Sequence, residues 1–143
     1  MIFKLFCDGG ARGNPGPAAT GFVIKDSDDK IIFRQGRVIG YATNNVAEYQ
    51  AVIDGLKKIL EISKNQEVSE VKVYLDSQLV AKQLSGEFKI KNRQLAELFL
   101  SVKQLEKELP TISYHQILRG QNKEADFLVN KALNLNHGVE YFN

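Results

Sequence analysis

Four carboxylates in this sequence stand where solvated charge is not expected. Asp8 and Asp76 each follow directly on an apolar run, ending at Cys7 and Leu75 respectively. If the two runs are neighbouring parallel strands, both acids emerge at the same carboxyl edge, where open α/β sheets gather their ligand sites. Glu48 lies in line with Val52, Leu56 and Ile59, and Asp126 with Val129 and Leu133, so each spacing puts an acid on the apolar stripe of a helix. A half-buried carboxylate without a partner is costly, and a cluster of them repels until protons or cations neutralise it. Few basic residues occupy matching positions, and the set contains no histidine or cysteine. Hard oxygen donors of this kind point to Mg²⁺ or Mn²⁺ rather than to zinc or copper. Two such ions about 3.5–4 Å apart are a known device for displacement at phosphorus, so phosphodiester cleavage is the expected reaction. Taken singly, each acid has a structural alternative: Asp76 could cap the helix that Ser77 begins, and Asp8 could stabilise a glycine turn. Four together, at element ends or on apolar helix faces, favour a metal site.

The elements that must position these acids follow from periodicity. Residues 2–7 are apolar except Lys4, which predicts a central strand buried on both faces, and the run stops at Asp8-Gly9-Gly10. Residues 9–17 read as a turn-rich connection, followed by strands over 21–25 and 31–33, giving an antiparallel meander. From Asn44 the spacing of Val52, Leu56, Ile59 and Leu60 predicts a helix to about Ser63. Val71, Val73 and Leu75 mark a fourth strand, and Ser77 caps a short helix to about Leu84. A helix over 92–109 stops at Pro110, a fifth strand spans 112–118, and Asn122 is expected to cap a last helix. The order βββαβααβα predicts an α/β fold: a five-stranded mixed sheet, three strands antiparallel and two parallel, flanked by helices. The tail, 135–143, has no clear period and either packs on the sheet or hangs free.

Composition narrows the class. The chain has 143 residues, 43% hydrophobic and 25% charged, which suits one domain with its own core. One cysteine closes no internal disulfide, and two histidines with it furnish no four-ligand zinc site, so a reducing, cytoplasmic setting is expected. No run approaches a membrane span, and a monomer without membrane contact is expected. Nineteen basic against seventeen acidic residues leave +2, so any polyanion must be held by local placement of charge.

The segments Asp8-Gly9-Gly10-Ala11-Arg12-Gly13-Asn14-Pro15-Gly16-Pro17-Ala18, Thr43-Asn44-Asn45-Val46-Ala47-Glu48, Leu75-Asp76-Ser77-Gln78 and Asn122-Lys123-Glu124-Ala125-Asp126 occur in the order and spacing of type 1 ribonuclease H. The sequence resembles that family over residues 1–134, which would form the catalytic domain. The resemblance implies the ribonuclease H fold, endonucleolytic hydrolysis of RNA paired to DNA, and 5′-phosphate and 3′-hydroxyl ends. It implies metal ligation by Asp8, Glu48, Asp76 and Asp126, with two Mg²⁺ or Mn²⁺ ions, and minor-groove contacts from Gly9, Gly10, Asn14, Asn44, Asn45 and Gln78. Glu48 would accept from a 2′-hydroxyl, the group that tells RNA from DNA. Thr43 matches a position that holds a phosphate of the DNA strand. A phosphate cradle of the nucleotide-binding type does not fit, because the glycine loop lacks a Gly-Lys-Ser/Thr ending and leads into a strand. A hybrid-binding module without catalysis, or a nuclease that also cuts double-stranded RNA, are the competing readings.

Two departures from the family pattern stand out. The loop before the last helix, residues 119–124, lacks the histidine many members carry there. Arg119 is the nearest substitute, able to hold a phosphate but not to give up a proton at neutral pH. The basic, tryptophan-containing protrusion of some members is also missing, although Lys82, Lys89, Lys91 and Arg93 form a positive stretch. Weaker, strongly salt-dependent substrate binding is expected.

Overall fold

The computed structural model describes residues 1–142. Alternation in the first run builds β1 (Ile2–Ala11), in which Phe3, Leu5 and Cys7 are wholly buried on one face while Lys4 and Phe6 lie half-buried on the other. There follow β2 (Gly16–Lys25), β3 (Ile31–Ala42), α1 (Asn44–Ile62), β4 (Glu70–Leu75), α2 (Gln78–Leu84), α3 (Arg93–Glu106), β5 (Ile112–Gln116), α4 (Lys123–Leu135) and β6 (Val139–Phe142). The strands form one sheet in the order β5-β4-β1-β2-β3-β6. β1 pairs in parallel with β4, with Cys7 opposite Leu75, and β4 in parallel with β5; the remaining pairs are antiparallel. Asp8 and Asp76 therefore follow the last parallel pair at the same carboxyl end of β1 and β4.

The main core lies between the sheet and α1, where Val52, Leu56 and Ile59 meet Phe3, Leu5, Phe22, Val71 and Val73, with Val80 of α2 and Val102 of α3 closing its flank. On the opposite face α4 covers β2 and β3 through a smaller cluster of Ala19, Val129 and Ala132. Gly21 permits this approach, since a methyl group there would overlap the Ala125 carbonyl.

Several expectations are corrected. The sheet has six strands rather than five, because the tail adds β6 along β3, with Phe33 opposite Phe142 and Gly36 opposite Val139. A four-residue edge strand held by backbone pairing leaves no hydrophobic period to read. β1 is buried fully on one face only; on the other, Lys25 lies over the Phe6 ring, Phe6 stacks on Tyr74 and Tyr74 on His115. Gly9 and Gly10 belong to β1 rather than to a turn, paired with Thr20 and Ala19. Gly9 is there because a side chain would overlap the Ala47 carbonyl as α1 begins. In residues 9–17 a positive φ occurs at Gly13 alone, at 96°. Thr43, Ser77 and Asn92 cap α1, α2 and α3 with their side chains, whereas Asn122 occupies the cap position of α4 without capping it. Among the described residues no helix is long and apolar enough to cross a membrane.

Candidate active site

Three elements deliver the acids to one point. The parallel pairing of β1 with β4 stops at Cys7 and Leu75, which sets Asp8 and Asp76 side by side just past it, and α1 contributes Glu48 because its Thr43 cap sets the helix start against Gly9. One carboxylate oxygen from each of Asp8, Glu48 and Asp76 lies within 4.8 Å of the others. Asp8 is 7% and Glu48 6% exposed, so both are desolvated, while Asp76 is half-buried. Asp126 lines the same cavity of about 380 Å³ and acts electrostatically on Asp8, but it is exposed and stands outside the close triad. The expectation of a half-buried Asp126 is thereby corrected: α4 buries Ala125, Leu128, Val129 and Ala132, and Asp126 falls at the margin of that stripe, turned toward the cavity.

The triad is electrostatically uncompensated. Among the described residues none of Asp8, Glu48, Asp76 and Asp126 takes part in an ion pair; the lysines and arginines that form pairs do so with other acids. Burial, together with the charges of Asp76 and Asp126, pushes the Asp8 carboxyl up to about 7. Burial and the adjoining Asp8 charge hold Glu48 well above the ordinary carboxylate range, only partly offset by the Gly9 amide that donates to Oε1 at 3.2 Å. Glu48 Oε2 is buried without a donor. Burial and mutual repulsion thus disfavour the ionised forms of both Asp8 and Glu48. All four acids offer hard oxygen donors, and a divalent cation would satisfy the orphaned Oε2 while neutralising the cluster, so the residues fit Mg²⁺ or Mn²⁺.

This arrangement has relatives. Residues 6–132 match the family described as reverse transcriptase-like. Ribonuclease HI of Halobacterium salinarum is 37% identical over 128 residues, 90% of this chain and 62% of the relative. LC11-RNase H1, solved in complex with an RNA/DNA hybrid, superposes with a TM-score of 0.90 at 37% identity, covering 94% of this chain and 98% of that one. The chain belongs to the type 1 ribonuclease H family. The N-terminal RNase H domain of Rv2228c from Mycobacterium tuberculosis matches with a TM-score of 0.86 at 36% identity, over 93% of this chain and 99% of that one. Whole Rv2228c is called a bifunctional protein, and the alignment spans only 36% of its length, so this chain corresponds to about a third of that relative.

In this ribonuclease H chain the remaining predicted site residues divide into two groups. Gly9, Gly10, Asn44, Asn45 and Arg119 line the cavity with the acids; Asn14, Thr43 and Gln78 do not. Asn14 and Asn44 serve first as struts, since Asn14 Oδ1 accepts from the Asn44 amide at 3.0 Å and Asn44 Oδ1 accepts from the Ala11 amide at 2.8 Å. Thr43 Oγ1 accepts from the Val46 amide at 3.2 Å. His115, on β5, stacks on Tyr74 and meets Ser113. Lys82 of the positive stretch pairs with Glu87.

The sequence reading missed two features. Asn122 is 2% exposed and donates through Nδ2 to the Cys7 carbonyl at 2.8 Å, tying the start of α4 to the peptide that precedes Asp8. Its polar type before a helix suggested a cap and gave no sign of a partner 115 residues away. Arg12, whose place within the glycine motif carried no signal of its own, also lines the cavity.

Proposed function

We propose that this chain is an endoribonuclease that hydrolyses the RNA strand of RNA/DNA hybrids, leaving 5′-phosphate and 3′-hydroxyl ends. The observation that carries it is the uncompensated meeting of Asp8, Glu48 and Asp76, with a buried Glu48 oxygen that lacks any donor. Membership of the ribonuclease H family and the likeness to an enzyme solved with a hybrid support the substrate. Asp8, Glu48, Asp76 and Asp126 would hold Mg²⁺ or Mn²⁺, two ions per site, which when bound supply Lewis-acid stabilisation of the charge that develops at phosphorus.

The chain's own residues orient the duplex. Asn14 and Asn44 have committed their carbonyl oxygens to backbone amides, which leaves their NH₂ groups to donate to base and sugar acceptors in the minor groove. Asn45 and Gln78 add amides without charge, and Gly9 and Gly10 line the cavity alongside Asn44 and Asn45. Thr43 accepts from the helix it caps and retains a hydroxyl proton for a phosphate of the DNA strand. Arg119 holds a phosphate by two N–H groups but moves no proton, so this chain lacks the loop acid–base group of many relatives. Residues 1–134 form the catalytic unit, acting as a monomer in a reducing, cytoplasmic setting.

A labelled RNA/DNA duplex incubated with Mg²⁺, with Mn²⁺ and with chelator, beside double-stranded RNA, tests the proposal. Metal-dependent cuts in the RNA strand with 3′-hydroxyl ends are expected. Binding without cleavage would reduce the chain to a hybrid-binding module, and equal cutting of both duplexes would broaden the substrate.

A further inference from the structure

Arg12 follows the end of β1, in the tight turn to β2, where its backbone amide donates to the Pro17 carbonyl at 2.8 Å. Its guanidinium reaches across to α4: Nη2 donates to Asn134 Oδ1 at 2.6 Å and to the Asn130 carbonyl at 3.5 Å. Both acceptors are neutral, and among the described residues Arg12 forms no ion pair. An arginine placed only to steady the fold would be expected to meet a carboxylate, as Arg37 does with Asp54 at 2.9 Å. Arg12 instead keeps its full charge, spends a single nitrogen on its anchor, and leaves Nε and Nη1 without partners among the described residues, a fork matched to phosphate oxygens. The side chain is exposed and lines the same cavity as the acids.

Its place along α4 sets its distance from the chemistry. Asp126, Asn130 and Asn134 are successive turns of one helix face, and Asn130 Nδ2 donates to the Asp126 carbonyl at 3.0 Å. At 1.5 Å of rise per residue, Asn134 lies about 12 Å along the axis from Asp126, a few nucleotides of a duplex strand. Arg119 precedes the helix and Arg12 docks at its far end, so along α4 the two arginines lie on either side of Asp126.

Resting on the hybrid substrate proposed above, we propose that Arg12 is a pre-anchored clamp for a phosphate of the bound hybrid, a few nucleotides from the scissile bond. Fixing the guanidinium before the substrate arrives removes part of the ordering cost, so the contact favours binding more than turnover.

The test compares Arg12→Gln, Arg12→Lys and Asn134→Ala with the parent chain in steady-state cleavage of an RNA/DNA hybrid. It then repeats Arg12→Gln in an Asp8→Asn background, where the uncut hybrid is titrated across salt concentrations. Arg12→Gln is expected to raise KM about tenfold with kcat changed less than about twofold, the loss of one charge-assisted contact. Its slope of log Kd against log salt should become shallower by close to one ion. Arg12→Lys should keep the slope while raising KM, because the charge survives and the fork does not. Asn134→Ala should raise KM by a smaller factor at unchanged slope. A salt slope identical in Arg12→Gln and its parent overturns the clamp, as does a fall in kcat and thermal stability with KM unmoved, the mark of a mere strut. A parent chain that cuts and binds no hybrid overturns the substrate reading and the clamp with it, whereas a parent that cuts normally isolates the failure to Arg12.

Discussion

Asp8 follows a wholly buried cysteine and is itself almost without solvent, yet it faces two other carboxylates. Such a group resists ionisation, and the direction has a thermodynamic consequence. Its carboxyl ionises near 7 in the folded chain against 3.8 in the unfolded one, so between those values the folded state binds more protons. Stability of the metal-free protein then falls as pH rises from about 4 to 7 and levels off above, by the linkage of proton uptake to folding. Melting temperature against pH in chelator should show this decline. Asp8→Asn should flatten it and raise the metal-free melting temperature near pH 8, by roughly 1–3 kcal/mol of added stability, while abolishing hybrid cleavage. Cleavage at the parent rate by the Asp8→Asn protein would contradict the assignment. Conversely, Mg²⁺ should stabilise the parent more at pH 8 than at pH 5 and release protons on binding, seen calorimetrically as a heat that depends on the buffer. At this scale Asp8, Glu48 and Asp76 were legible in the sequence, because an acid ending an apolar strand or interrupting an apolar stripe is conspicuous. Asp126 was legible as a position but not in its exposure, since stripe margins are decided by what the helix packs on.

Elements bring these side chains together, and two are open to direct tests. α1 begins against β1 with no room for a methyl group at Gly9. Gly9→Ala should therefore push the start of α1, and Glu48 with it, away from Asp8, costing about 3 kcal/mol in chemical denaturation and most of the activity. The other is β6. Removing residues 138–143 exposes the Phe33–Gly36 edge of β3 and deletes Tyr141, whose ring lies under both Arg34 and Lys131. A loss of about 1–3 kcal/mol is expected, with kcat of the folded fraction retained, because among the described residues none of β6 lines the catalytic cavity. The four helices and the first five strands were readable from period and caps. β6 was not, for backbone pairing at an edge asks little of the side chains, and the role of Gly9 was read as a turn because close approach of another element is invisible locally.

The whole molecule carries only +2 while concentrating four acids at one mouth, so a polyanion is drawn by cations set around that mouth rather than by net charge. Arg12 and Arg119 line that cavity, and Lys89, Lys91 and Arg93 lie on the α2–α3 connection or the first turn of α3. Hybrid affinity of the Asp8→Asn protein should fall steeply between about 50 and 200 mM salt, on the order of tenfold for each pair of phosphates contacted. An affinity that hardly moves would show that neutral minor-groove contacts carry binding alone.

Periodicity, caps and the placement of acids determined from sequence the order of the first five strands and the four helices and the acids that line one cavity, while the motif segments carried the resemblance to the family, because each is a property of neighbouring residues. Tertiary structure alone decided that Asp126 stays solvated, that Asn122 reaches back to Cys7, that the tail closes the sheet edge, and that Arg12 is anchored on neutral acceptors of α4. Those outcomes depend on contacts between segments far apart in the chain, whose geometry is set by packing rather than by local pattern.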